Sequence, residues 1–235
     1  DQSPDLILRD YSRKNTDDNA HRGYNLNLNH KYDIDDNGSN IITNLSYSGH
    51  SMNSNEQFVQ TDHLNALNNL DITQTADNSN KEIEAKTDFT KKFGENTRLE
   101  LGWNSTWQNR VSLAGGFDNA NLIDILSYYN KFDYKEQVHA AYATYGTRFD
   151  NFSLQAGLRG EYLRKQITST SKNISTSATE INRLDPQSYF ELFPSLYMSY
   201  TLPKNNELQL NYTRRVNRPR GRQINSFRDY SDATT

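Results

Sequence analysis

The chain has 235 residues with 26 Lys and Arg against 29 Asp and Glu, a formal net charge of −3, which gives no overall pull toward nucleic acid. Only 34% of residues are hydrophobic and the mean hydropathy is −0.95, yet there are 15 Tyr, 10 Phe and no Cys; such aromatic content excludes disorder outside the loops, and the missing thiols exclude disulfide frameworks and thiolate metal sites. No run of about 18 apolar residues occurs, so a transmembrane helix is excluded, whereas a transmembrane barrel is not, because its strands need only about 9 to 11 residues of alternating character.

Residues 1–21 are charged and Asn-rich, with one apolar patch at Leu6, Ile7 and Leu8, and read as a loop or the end of a preceding strand. The opening DQSPDLILRDYSRKN has no basic region followed by an apolar one, so no signal peptide is read and the chain is either cytoplasmic or a fragment. From Tyr24 the alternation is clean. Tyr24, Leu26, Leu28, His30, Tyr32 and Ile34 form an apolar face against Asn25, Asn27, Asn29, Lys31 and Asp33. Asn37-Gly38 in the turn Asp35–Asn40 is a strong hairpin signal, and Ile41, Thr43, Leu45 and Tyr47 continue the apolar face on the return strand. Residues 60–80 read as a long polar connection.

The plan then repeats. Ile83, Ala85, Thr87 and Phe89 alternate with Glu82, Glu84, Lys86 and Asp88; after the turn Gly94–Thr97, Leu99, Leu101 and Trp103 alternate with Arg98, Glu100 and Gly102. Residues 112–130 break the pattern at Gly115-Gly116 and read as a structured loop containing a short helix. In the third hairpin Phe132, Tyr134, Val138, Ala140 and Tyr142 are assigned to the apolar face and Lys131, Asp133, Lys135, Gln137 and His139 to the polar one. Its return strand places Phe152, Leu154, Ala156, Leu158 and Tyr162 against Ser153, Gln155, Gly157, Arg159 and Glu161. A Ser/Thr/Asn-rich loop is expected over 168–188. In the fourth hairpin Leu192, Pro194, Leu196, Met198, Tyr200 and Leu202 alternate with Phe193, Ser195, Tyr197, Ser199 and Thr201; past the turn Pro203–Glu207, Leu208, Leu210 and Tyr212 resume the apolar face.

The expected fold is therefore all-β: an antiparallel up-and-down meander of about eight long strands, part of a transmembrane β-barrel, with the barrel section over 22–217 and an extracellular loop or the start of another strand over 218–235. Short turns alternate with long polar connections, the asymmetry of outer-membrane barrels, whose periplasmic turns are short and extracellular loops long. Tyr24, Tyr32, Phe89, Trp103, Phe132, Tyr134, Tyr142, Phe152, Tyr162, Tyr200 and Tyr212 are expected to share the apolar face as interfacial girdles.

The stretch Phe193–Phe227 resembles the outer-membrane barrel of bacterial TonB-dependent receptors, most closely a barrel-only family of Bacteroidota. The matching pieces are Phe193-Pro194-Ser195, the strand ELQLNY, Arg214-Arg215, Asn217-Arg218-Pro219 and Ile224-Asn225. Phe132–Tyr162, with Gly157-Leu158-Arg159-Gly160-Glu161, resembles it too. The resemblance implies residence in the bacterial outer membrane and uptake of a nutrient such as a metal chelate or glycan. It also implies a barrel of about 22 strands around a plug, coupled to TonB. Only eight strands are read here, with neither plug nor TonB box, so the chain is expected to be a section of barrel wall. Its partners would be outer-membrane lipid and lipopolysaccharide, the rest of the barrel, a plug domain, and TonB through the missing part.

Three motifs are weighed against plainer readings. Asp33–Gly38 fits the opening of a calcium loop, but the twelfth position is Asn44 and the flanks are strands, so it reads as a hairpin turn. Arg214, Arg215, Arg218, Arg220 and Arg222 read as lumen or rim contacts to substrate or lipopolysaccharide and not as a nucleic-acid site, no recognition helix being present. Neither His21, His30, His50, His63 and His139 nor the neighbouring Ser48 and Ser51 show metal or triad spacing; no catalytic residue, cofactor or metal is assigned, and the chain is not read as an enzyme. N-x-S/T matches at Asn44, Asn104, Asn151, Asn173 and Asn211 are what such a composition yields by chance. Two rivals to the barrel section are a soluble or surface-exposed antiparallel β module for binding or adhesion, its aromatic face packed on a second sheet, and an eight-stranded barrel closing on itself.

Overall fold

The computed structural model describes residues 10–173 and 175–216. They form one antiparallel sheet in the order β1 (Tyr11–Asp33), β2 (Asn40–Asp62), β3 (Leu70–Phe93), β4 (Thr97–Asp118), β6 (Asn130–Phe149), β7 (Phe152–Lys172), β8 (Thr179–Leu202) and β9 (Asn206–Thr213), each paired with its sequence neighbour. A two-residue strand, β5 (Ile123–Asp124), adds to the end of β4. The path is open, with β1 and β9 as its edges. The meander and the short turns are those expected from the period-two pattern. The segment 218–235, and with it Arg218, Arg220 and Arg222, lies outside the described residues, as does the patch Leu6–Leu8.

The strands are longer than their apolar faces. β1 begins at Tyr11 rather than at residue 22, β2 runs to Asp62, β3 starts at Leu70, β4 reaches Asp118, β7 reaches Lys172 and β8 starts at Thr179. Much of what reads as loop over 1–21, 60–80, 112–130 and 168–188 is thus strand. The physical reason is that these halves are polar on both faces. Alternation of hydropathy vanishes there while the hydrogen-bonded ladder continues. Short 3-10 turns at Ala66–Asn68 and Leu126–Tyr128 lie in two of the long connections, the second beside β5.

The sheet buries little of its apolar surface. Phe58, Ile72, Phe132, Tyr134, Ala140, Leu163 and Ile167 are buried, as are Ser39, Ser105, Asn130, Thr147 and Ser199, whereas Leu26, Leu28, Leu45, Tyr47, Ile83, Leu101, Trp103, Leu158, Leu192, Leu208 and Leu210 are all exposed. Covering one such side chain fully is worth about 1.5–3 kcal/mol. A face of this size is on the order of tens of kcal/mol out of balance in water and balanced against hydrocarbon. The strand register shows that these residues lie on one face. Leu28, Leu45, Ala85, Ser105, His139, Tyr162 and Phe190 are successive partners across the sheet, and so are Tyr32, Ile41, Phe89, Leu101, Ala143, Leu158 and Pro194.

The same register corrects one strand. On β6 the residues in line with the apolar face are His139, Ala141, Ala143 and Tyr145, so Phe132, Tyr134, Val138, Ala140 and Tyr142 belong to the opposite, polar face. Phe132 and Tyr134 are buried there with Ile167. Both faces of β6 carry aromatic and small apolar residues, and the neighbours on β4 and β7 decide between them.

Aromatic and large apolar residues edge the band on both sides. The edge toward the long connections holds Tyr24, Tyr47, Trp107, Tyr162 and Phe190, and the edge toward the short turns Tyr32, Phe89, Tyr145, Phe152 and Tyr200. The band drifts across the register. From β1 to β8 its upper edge falls by four residues, from Tyr24 to the row of Leu28 and Phe190. Its lower edge falls by six, from Tyr32 to the row of Phe152 and Tyr200. With about 3.3 Å per residue and 4.8 Å per strand, that drift corresponds to a strand tilt of about 30°, close to the 35–45° of membrane barrels.

Asp35 organises the first short turn. Its carboxylate accepts from the amides of Asn37 (3.1 Å) and Ser39 (3.0 Å) and pairs with Lys91 Nζ (2.9 Å), on the neighbouring hairpin. The Lys91 contact, then the Ser39 amide, hold this carboxyl well below the usual carboxylate range. The long-connection side uses the same device. Asp62 is lowered by the Asn68 side chain and then by the amides of Asn65 and Leu64, and Asp118 by the side chain and amide of Asn121.

Candidate functional site

The polar face at the depth of the apolar band carries an ordered ladder of charge. Asp88, Gly102, Tyr142, Arg159 and Phe193 are successive cross-strand partners from β3 to β8. Gly102 has no side chain, and the Tyr142 ring occupies the place its Cβ would take. That lets the Tyr142 hydroxyl donate to Asp88, which also receives Lys86 Nζ at 2.8 Å. Arg159 lies 5.3 Å from the Tyr142 ring centre and pairs with Glu161 at 2.6 Å.

The adjacent register row brings Glu161 directly opposite Glu191. One carboxylate oxygen of Glu191 is buried without a hydrogen-bond partner among the described residues. Toward the long connections Asn104 donates to Glu84 (2.5 Å) and Gln108 to Glu82 (3.1 Å). Beyond the band, Tyr134 donates to Glu136 (2.5 Å); burial first, and this bond second, push the Tyr134 hydroxyl well above its ordinary value.

Of the arginines expected at this site, Arg214 and Arg215 are described. Arg214 donates to the Leu192 carbonyl (2.9 Å), and its guanidinium sits 5.8 Å from the Phe193 ring centre, at the end of the ladder. Its amide donates to the Pro194 carbonyl (3.2 Å). Both arginines line an open hollow of about 340 Å³ with Arg159, Glu161, Phe193, Ser195 and Thr213. The register sets this hollow within the depth of the apolar band, below the Phe190 edge.

The histidines are dispersed. His21 and His50 stack at 6.1 Å on the polar face beyond the band, and His139 bonds Ser105 on the apolar face. His30 is opposite Thr43. Asp88, Tyr142, Arg159 and Glu161 were not singled out as site residues from the sequence. Gly102 within a strand of bulky residues is the available signal, since such a glycine marks a close approach.

The profile of the outer membrane protein beta-barrel family matches residues 32–235. Among solved structures the chain is similar to the ferric yersiniabactin uptake receptor FyuA from Yersinia pestis, at 10% identity and TM-score 0.44 over 71% of this chain and 26% of that one. It is also similar to the ferric citrate transporter FecA in its unliganded form, at 16% identity and TM-score 0.39 over 74% of this chain and 26% of that one. The chain thus spans about a quarter of the length of those structures. A comparison with curated proteins returned no match.

Proposed function

Since the chain belongs to the outer membrane protein beta-barrel family and its strands lie in the bacterial outer membrane, we propose that it is a section of the barrel wall of a TonB-dependent importer. The observation that carries this reading is the two-faced sheet, apolar and exposed on one face and lined with paired charges on the other. Charged side chains at membrane depth are tolerated facing a water-filled or protein-filled lumen and not facing lipid. The ladder from Asp88 to Arg214 then faces the lumen, where it meets a plug or the passing nutrient. A metal chelate or a glycan is the expected cargo class, and TonB the expected source of energy through the remainder of the protein. Arg214 and Arg215 are the proposed lumenal contacts of the cluster.

The rival is a β module whose apolar face packs on a second sheet. Among the described residues every long strand belongs to a single sheet, which favours lipid as the covering. The deciding experiment uses the full-length protein. Deleting its gene should abolish energy-dependent growth on one chelate or glycan of a panel, and the intact gene should restore it. Uptake that survives collapse of the proton-motive force contradicts the importer and indicates a passive pore.

A further inference from the structure

On the polar face, just past the upper edge of the band at Tyr24 and Tyr47, β1 and β2 bring together donors that are far apart in sequence. His21 is directly opposite Met52, and Gly23 directly opposite His50, so the two imidazoles are diagonal neighbours and Met52 stands next to both. Opposed residues on such a face have Cβ atoms about 4.5–5.5 Å apart and diagonal ones about 7–8 Å. The imidazole rings lie 6.1 Å apart, inclined by 26°, and both are exposed. A side-chain carbon at Gly23 would come within 3.4 Å of His50 Nδ1, so that nitrogen faces β1, the strand that carries His21.

The residue opposite His50 on its other side is Asn80. Its Oδ1 is buried and has no hydrogen-bond partner among the described residues. Such an orphaned acceptor costs about 1–3 kcal/mol and calls for a donor. Next to it in the same register, Asn78 is satisfied, since its Oδ1 accepts from Ser112 (2.7 Å). Arg110 lies beyond Asn80 on β4, and Glu82, one row nearer the band, offsets its charge.

We propose that His21, His50 and Met52 bind a single copper ion, with Asn80 as the residue that positions His50. Three observations support it. A metal about 2.0–2.1 Å from one nitrogen of each ring, itself about 1.1 Å from the ring centre, holds the two centres roughly 5–6.4 Å apart, and the observed spacing falls inside that range. Among the described residues no third imidazole or carboxylate completes a metal site, so the neighbouring donor is the Met52 thioether. Imidazoles suit zinc, nickel and copper alike, whereas a thioether is soft and selects copper, which also heads the divalent affinity order. With Nδ1 of His50 on the metal, its Nε2–H is left to donate, and the Asn80 oxygen is the acceptor that a ligating imidazole needs. The proposal requires only that this face is open to water above the band; neither the cargo nor the energy source enters it.

The test is carried out on the full-length protein in neutral-detergent micelles, dialysed against Cu²⁺, against copper kept as Cu⁺ by ascorbate, or against Zn²⁺, with bound metal counted per chain. Wild type should bind one copper ion more than the variant carrying both His21→Gln and His50→Gln, and His63→Gln should leave the count unchanged. Met52→Leu should weaken Cu⁺ binding at least about tenfold and Cu²⁺ binding less. Asn80→Ala should weaken copper about ten- to a hundredfold, and Asn80→Asp, which keeps an acceptor, should restore it. Electron paramagnetic resonance of the Cu²⁺ form should show two nitrogen ligands, falling to one in either single histidine variant. An unchanged copper count in the double variant overturns the site. Zinc held as tightly as copper, or Met52→Leu without effect on either oxidation state, overturns its assignment to copper, and wild-type binding by Asn80→Ala overturns the role of Asn80. Heat-modifiable gel mobility checks folding; if the double variant does not fold, His21→Gln and His50→Gln singly replace it, each expected to lose at least about tenfold in affinity. A folded protein that fails this test leaves the barrel and importer assignments standing and removes the copper site alone.

Discussion

The Tyr142 hydroxyl on β6 reaches Asp88 on β3 across the bare backbone of Gly102 on β4. A hydrogen bond to a charged group contributes about 1.5–3 kcal/mol where water is restricted. Tyr142→Phe should therefore lower stability toward urea by about 1–2 kcal/mol in lipid bilayers. A double-mutant cycle with Asp88→Asn should show a coupling of about 1 kcal/mol. Additive effects would mean that the hydroxyl does not bond Asp88 in the folded wall.

Gly102 is the partner of that contact. A side chain there meets the Tyr142 ring, so Gly102→Ala should displace the ring and cost about as much as Tyr142→Phe. The combination with Tyr142→Ala should be milder than the sum, because the ring is then absent. Unfolding midpoints of the single and double variants give the answer.

The apolar band makes a depth-dependent prediction. Leu101 and Leu113 both belong to the outward face of β4 and are exposed, but Leu101 lies inside the band and Leu113 lies six residues past Trp107 at its upper edge. Leu101→Arg should destabilise the folded barrel by about 2–4 kcal/mol, and Leu113→Arg by about 1 kcal/mol or less. Equal costs at the two positions would contradict the proposed membrane depth.

How much of this was legible in the sequence depended on whether polarity and hydrogen bonding ran together. Where one face of a strand is apolar, as at Tyr24–Tyr32 or Leu192–Leu202, period-two reading assigned the face correctly. It failed on β6, where Ala141, Ala143 and Tyr145 oppose Tyr134, Ala140 and Tyr142 and both faces look half apolar. It failed again in the outer halves of the strands, since a wall bathed in water on both sides needs no apolar face and its residues read as loop. The ladder from Asp88 to Arg214 was hidden for a third reason. Its members are far apart in sequence and meet only through register, which pattern alone does not supply.

Asp35 gives the chain a pH signature outside the membrane. Its folded-state value is depressed by Lys91 and by the Ser39 amide, so its contribution is fully present above the unfolded carboxylate value. It is lost only as pH falls through the lower folded value. Hydrogen exchange at the Ser39 amide should stay protected through the range where ordinary carboxylates titrate. Asp35→Asn, which removes the charge that holds Lys91, should lose that protection at neutral pH. Protection in wild type that disappears near pH 4 would show that the turn is held by something else.

The two tryptophans of the chain sit at different depths on the same strand. Trp103 is two residues from Leu101 within the band, and Trp107 is at its upper edge, where its ring meets His139 at 5.4 Å. Both belong to the outward face, so both should contact lipid. Trp107→Phe leaves Trp103 as the reporter, and Trp103→Phe leaves Trp107. In bilayers of lipids brominated at chosen acyl positions, Trp103 should be quenched most by bromine deep in the chains and Trp107 most by bromine near the headgroup. The separation of four residues on a strand tilted by about 30° corresponds to a depth difference of about 11 Å. Equal quenching profiles would place the two rings at one depth and remove the band as drawn. Quenching by aqueous acrylamide with none by brominated lipid would move the whole face out of the membrane.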